Sequence, residues 1–188
     1  MAKRSAVTPP AIMPRTDIVV AGQRMDVAYR VPGLAAKAPG PWQQEADKLA
    51  WTDPHTGYAC IIRRMPGGHL GGFVAVPPDH PLAGWTAEAV PPQQVRAHGG
   101  LDYARACDER GPEAVSICHV KPDVAGAHDT AWWFGFSCDQ PDDLVPDHAA
   151  HAAEARQLGV TQTYRNAEYV LDRCTELAAD LARAEARP

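Results

Sequence analysis

No run of apolar residues in this 188-residue chain approaches the ~20 needed for a membrane-crossing helix. The opening stretch, MAKRSAVTPPAIMPRT, is basic and proline-rich but lacks an apolar core long enough for a secretory signal. A cytoplasmic location is therefore expected, with no membrane partner, and residues 1–16 are expected to form a flexible arm. Positive charge is also short: 18 Lys and Arg stand against 23 Asp and Glu, a formal charge of −5. That balance argues against broad nucleic-acid binding, in which basic side chains must displace counterions from phosphates. There is no C-x-x-C pair. Cys60, Cys107, Cys118, Cys138 and Cys174 are odd in number and widely spaced, a poor disulfide framework and a poor structural zinc set. Free, mostly buried thiols are expected, and no tightly held metal or other cofactor. Three catalytic signatures are missing as well. GGHLGG lacks the Lys-Ser/Thr ending of a phosphate loop and leads into a strand, and neither G-x-S-x-G nor H-E-x-x-H occurs.

What the chain does have is 45% hydrophobic residues, 18 prolines and 15 glycines. The first suffices for a packed core; the others punctuate residues 30–147 in a way that suits short strands and ordered loops. DIVVAG and MDVAYRV read as short strands around a turn, and PWQQEADKLAW as a short helix with Trp42, Ala46 and Leu49 on one face. Strands are expected at residues 58–64, 71–76, 114–120 and 132–138, the first two joined by the glycine-rich MPGGHLG. In AWWFGFSC, Trp132, Phe134 and Phe136 share one face and Trp133 takes the other, so this strand should be central and covered on both sides. A helix is expected in DHAAHAAEARQLG. A longer one at 164–183 carries a stripe of Tyr164, Ala167, Leu171, Cys174, Ala178 and Leu181, with Thr163 as its N-cap. The expected architecture is a single α+β domain over 17–188, an antiparallel or mixed central sheet packed against the long C-terminal helix.

Eight histidines are the natural carriers of chemistry. His148 and His151 lie three apart on a helix and share a face, which suits either a metal or, more simply, solvent. His119 falls in an expected strand and His128 in a loop. His69, His80 and His98 stand out because glycine or proline surrounds each, and such loops often hold binding groups on a rigid scaffold. After the aromatic strand come Cys138, Asp139, Asp142 and Asp143. Those carboxylates would serve as a metal site or general base, or they cap the next helix.

The blocks GGHLGGFVAVPPDHPLAGW, HGGLDYA, WWFGFSCDQPDDLVP and YRNAEYVLDRCTELAADLA together resemble a family of bacteriophage and prophage proteins over roughly residues 57 to 182. In that family the third block commonly reads Asp-Cys-Ala-His followed by an acid; here Ser137, Cys138, Asp139 and Gln140 occupy those positions. The resemblance implies a phage-related origin, and hence the host cytoplasm, without assigning an activity. Two functions follow from the residues. One is binding of a small nucleotide-like or phosphate-containing ligand by His69, His80, His98, Tyr103, Trp132 and Trp133, as in a phage protein that sequesters a host signalling molecule. The other is metal-assisted hydrolysis with His98 and Asp142 or Asp143 as catalytic groups. A structural or protein-interaction role is the third alternative.

Overall fold

The computed structural model describes residues 15–107, 111–119 and 130–186. Two short strands, β1 (Val19–Val20) and β2 (Gln23–Arg24), form a small hairpin at the start. The main sheet is built from β3 (Val27–Tyr29), β4 (Lys48–Thr52), β5 (Ala59–Arg64), β6 (Leu70–Val76), β7 (Tyr103–Ala106) and β8 (Trp132–Ser137). Its order is β3-β4-β5-β6-β8-β7, and every pairing is antiparallel. Two helices follow, α1 (Ala149–Gln157) and α2 (Ala167–Glu185). The result is a single α+β domain, an antiparallel sheet packed against a long C-terminal helix, as the sequence pattern predicts. Among the described residues, no helix is long and apolar enough to cross a membrane.

Alternation along β8 sets the two faces of the sheet. Phe134 and Phe136 join Ile62, Val74 and Leu49 beneath α2, whose Val170, Leu171, Cys174, Leu177, Ala178 and Leu181 complete that core. Each fully buried Leu or Val stabilises the fold by about 1.5–3 kcal/mol, so this stripe outweighs the helix's intrinsic propensity. Trp133 points the other way, into a second core with Tyr29, Ala50, Ile61, Phe73 and Ala75. Strand β8 is thus covered on both faces and lies between β6 and β7, away from the edge.

Four local expectations need correction. Residues 41–51 do not form a helix: a short 3-10 turn covers Pro41–Gln44, and β4 begins at Lys48. Pairing of β4 with strands on both sides, with Leu49 and Trp51 facing one core and Ala50 the other, overrides a helical spacing. The described part of 114–120 is not a strand. The Val115 and Ser116 amides both return to the Pro112 carbonyl, making a turn that lays Ala114 and Ile117 over the second core (Val120 lies outside the described residues). This segment is pinned from below: the ammonium of buried Lys48 donates to the carbonyls of Glu113 and Cys118. It is also crosslinked, because Cys107 and Cys118 form a disulfide and are not the free thiols expected; Cys60, Cys138 and Cys174 are free and buried. Finally, the N-cap of α2 is Asn166, whose side-chain oxygen accepts from the Tyr169 amide at 2.9 Å, and not Thr163. Thr163 instead bridges backbone to backbone with Asp143, tying the segment after β8 to the approach of α2. Of the arm, residues 1–14 lie outside the described residues, while Arg15 bonds through its backbone to Ala28.

Candidate functional site

The C-terminal end of β8 runs beside the N-terminal end of β6, where the Cys138 amide donates to the Leu70 carbonyl at 2.9 Å. Beyond that point the chain turns back on itself. The Asp143 amide bonds to the Gln140 carbonyl, and the Gln140 amide donates to Asp143 Oδ2 at 3.0 Å. The turn buries the Asp143 carboxylate completely and aims it at the loop that carries His98. Gly99 and Gly100 both adopt positive φ, +68° and +99°, so the loop needs glycine at these positions.

His98 and Asp143 meet there: Nε2 lies 2.6 Å from Asp143 Oδ2. The other ring nitrogen, Nδ1, is 2.9 Å from the Tyr169 hydroxyl on the first turn of α2. In the neutral ring, Nε2–H donates to the carboxylate and Nδ1 accepts from the tyrosine. Arg165 closes the network: its Nε donates to Asp143 Oδ1 at 2.6 Å and its Nη2 to Asp142 Oδ2 at 2.7 Å. The same guanidinium sits 4.9 Å from the centroid of the Tyr169 ring. Burial raises the Tyr169 pKa, opposed by the charges of Arg165 and Arg173. Cys138 lies against this group, and donor atoms of His98, Cys138 and Asp143 all fall within 4.8 Å of one another. Burial, reinforced by the Asp143 charge, pushes the Cys138 thiol well up from its ordinary value.

Asp143 also borders a polar cavity of about 370 Å³, with His69, Asp139, Gln140, His148 and Gln162 among its walls. His69 enters from the β5–β6 connection. Its ring is buried, Nε2 is 3.9 Å from an Asp139 carboxylate oxygen, and Nδ1 has no hydrogen-bond partner among the described residues. Burial lowers its pKa; Asp139 works against that shift and His148 with it, so the ring is neutral at pH 7.

The other candidate residues are placed elsewhere. His80 is buried and bonded at both nitrogens, to the Leu181 carbonyl at 3.0 Å and the Leu82 amide at 3.1 Å, which fastens the loop after β6 to α2. Trp133 is fully buried in the second core, and Tyr103 packs edge-on against Phe73 at 5.2 Å on that same face. Trp132 donates its indole N–H to the Trp85 carbonyl. Tyr103, Trp132 and Trp133 therefore do not line the polar cavity. Asp142 is an exposed partner of Arg165. His119 is buried and bridges Glu113 and Asp26. His128 and the side chain of His151 lie outside the described residues.

Sequence reasoning missed Arg165 and Tyr169. A usable signal exists in TYRNAEY: Asn166 is a good N-cap, which puts Arg165 just before the helix and Tyr169 on its first turn. The chain matches no family model, no curated protein and no solved structure.

Proposed function

We propose that the protein binds a small, nucleotide-like molecule in the cavity beside Asp143. The observation that carries this reading is His69, a buried and neutral imidazole on the wall of a polar cavity, whose Nδ1 has no hydrogen-bond partner among the described residues. The size, about 370 Å³, falls in the range of small-molecule sites, roughly 300–1,000 Å³. Its walls offer imidazoles and the amides of Gln140 and Gln162, groups that both donate and accept, which suits the edge of a nucleobase. Recognition on this reading is by edge contacts, since the aromatic residues that would stack on a base are engaged elsewhere. Asp139 and Asp143 oppose a bare phosphate, so a phosphate-bearing ligand would enter with a cation. The resemblance to phage proteins supplies the setting: sequestration of a host signalling molecule in the host cytoplasm. The Cys107–Cys118 disulfide weighs against that compartment, because such bonds are rare in cytosolic proteins.

A second reading, metal-assisted hydrolysis, is favoured by one observation, the approach of His98 to Asp143 with Cys138 alongside. A thermal-shift screen of nucleosides, nucleotides and inorganic phosphate, each with and without zinc, tests the binding reading. A nucleoside or nucleotide should raise the melting temperature, and His69→Gln and Gln162→Ala should each reduce the shift. Absence of any shift across the panel, or a shift that both variants leave intact, would remove the reading.

A further inference from the structure

We infer that His98, Cys138 and Asp143 form a transition-metal site suited to zinc. The three offer one imidazole nitrogen, one sulfur and one carboxylate oxygen, all within 4.8 Å of one another. Zinc takes those donor types at about 2.0–2.3 Å, which spaces neighbouring ligands roughly 3–4 Å apart. Thiolate with imidazole selects against magnesium and calcium, which prefer all-oxygen shells. The inference is independent of the nucleotide reading, and it supplies the metal that the hydrolytic reading needs.

Two features separate this cluster from an ordinary buried hydrogen-bond network. The first is the sulfur. The other free thiols each reach a carbonyl, Cys60 that of Tyr58 at 3.7 Å and Cys174 that of Ile61 at 4.0 Å. Cys138 Sγ has no hydrogen-bond partner among the described residues, and it is held beside a nitrogen and an oxygen donor. The second is the support behind the histidine and the carboxylate. Tyr169 holds the remote nitrogen of His98 at 2.9 Å, and Arg165 holds the remote oxygen of Asp143 at 2.6 Å. Metal-bound histidines and carboxylates are oriented in this way by outer hydrogen bonds. Asp143, though its carboxylate is buried, also borders the polar cavity, the side from which an ion and a fourth, exchangeable ligand would approach.

Loading requires a defined proton rearrangement. The 2.6 Å contact between His98 Nε2 and Asp143 Oδ2 is a hydrogen bond, and the pair must open to roughly 3.3 Å to admit a tetrahedral ion. The Nε2 proton is lost while Nδ1 gains one and donates it to the Tyr169 oxygen, so the imidazole stays neutral. Cys138 gives its thiol proton to solvent, and one proton leaves per ion bound. The ligands lie 40 and 45 residues from His98, which is why no local spacing motif announces them and none was expected from the sequence.

The test uses the full chain incubated with zinc, dialysed, and analysed for metal, with a parallel sample loaded with cobalt. The expected result is one equivalent of zinc per chain. The cobalt protein should show tetrahedral visible bands and a near-ultraviolet thiolate-to-cobalt charge-transfer band. Cys138→Ser should abolish that ultraviolet band, and His98→Gln should cut zinc affinity by about 10-fold or more. Zinc well below stoichiometry after loading overturns the inference, as does a cobalt spectrum without a thiolate band. The wild-type cobalt spectrum stands whether or not the variants fold. Zinc retained at full affinity in a folded Cys138→Ser protein would likewise reject this ligand set.

Discussion

Gln140 lies across Gly99 so closely that a Cβ built on the glycine would sit 2.3 Å from the glutamine Cδ. The HGG stretch is therefore more than a turn: the missing side chain of Gly99 lets Gln140 cover the loop and wall the cavity. Replacing Gly99 with alanine forces a left-handed backbone on a residue with a Cβ, at about 1–2 kcal/mol, and drives Gln140 aside. Gly99→Ala should lower stability by at least that amount in urea denaturation. Combined with Gln140→Ala the penalty should shrink, a coupling that two non-touching sites would not show.

Arg64 is fully buried with its Nε 2.8 Å from Asp47, and it also donates to the carbonyls of Gly68 and Trp42. Removing the carboxylate takes away the closer ionic partner of Arg64 and leaves the longer contact to Glu45, at 3.4 Å. Asp47→Ala should cost about 3–5 kcal/mol in equilibrium unfolding. A loss under about 1 kcal/mol would mean that the remaining acceptors satisfy the guanidinium without Asp47.

Stability should fall as pH drops below the ordinary histidine value near 6.5, in part through His69. Its folded pKa is lowered, so below that value the unfolded chain binds the proton first and gains on the folded state. Above it both states are neutral and the contribution is flat. The groups facing the ring are Asp139, Asp143, Asp102 and His148. The difference between wild type and His69→Gln, followed by denaturant midpoints from pH 8 to 5, should isolate this term. Parallel curves would show that His69 does not titrate in this window.

Three thiols should react under denaturing conditions without reductant, and five after reduction, because Cys107 and Cys118 are paired. Breaking the crosslink releases the turn segment that covers the second core. Reduction should destabilise the fold by about 2–3 kcal/mol, read as a lower melting temperature. Five reactive thiols before reduction would show the bond to be absent in solution.

Local regularities were readable without a structure. The alternation Trp132–Phe136 announced a strand buried on both faces, and the stripe from Ala167 to Leu181 announced α2, because period two and period 3.6 are properties of a chain segment by itself. His98 and Asp143 are legible in the chain as candidate groups of a hydrolytic site, but their 2.6 Å approach is not. Trp133 shows the converse, an aromatic offered as a binding surface that the sheet consumes as core.

The sequence by itself determined the sheet-and-helix class, the positions of β5, β6, β8 and α2, and the glycines that shape the His98 loop. Tertiary structure alone decided the rest. It turned residues 48–52 into a strand by giving them partners on both sides, and it closed Cys107 onto Cys118. It also gathered His98, Cys138, Asp143, Arg165 and Tyr169 from a loop, the turn after a strand, and the start of a helix. Periodicity is a local property, whereas hydrogen bonds and ligand sets depend on separations in space that spacing along the chain does not encode.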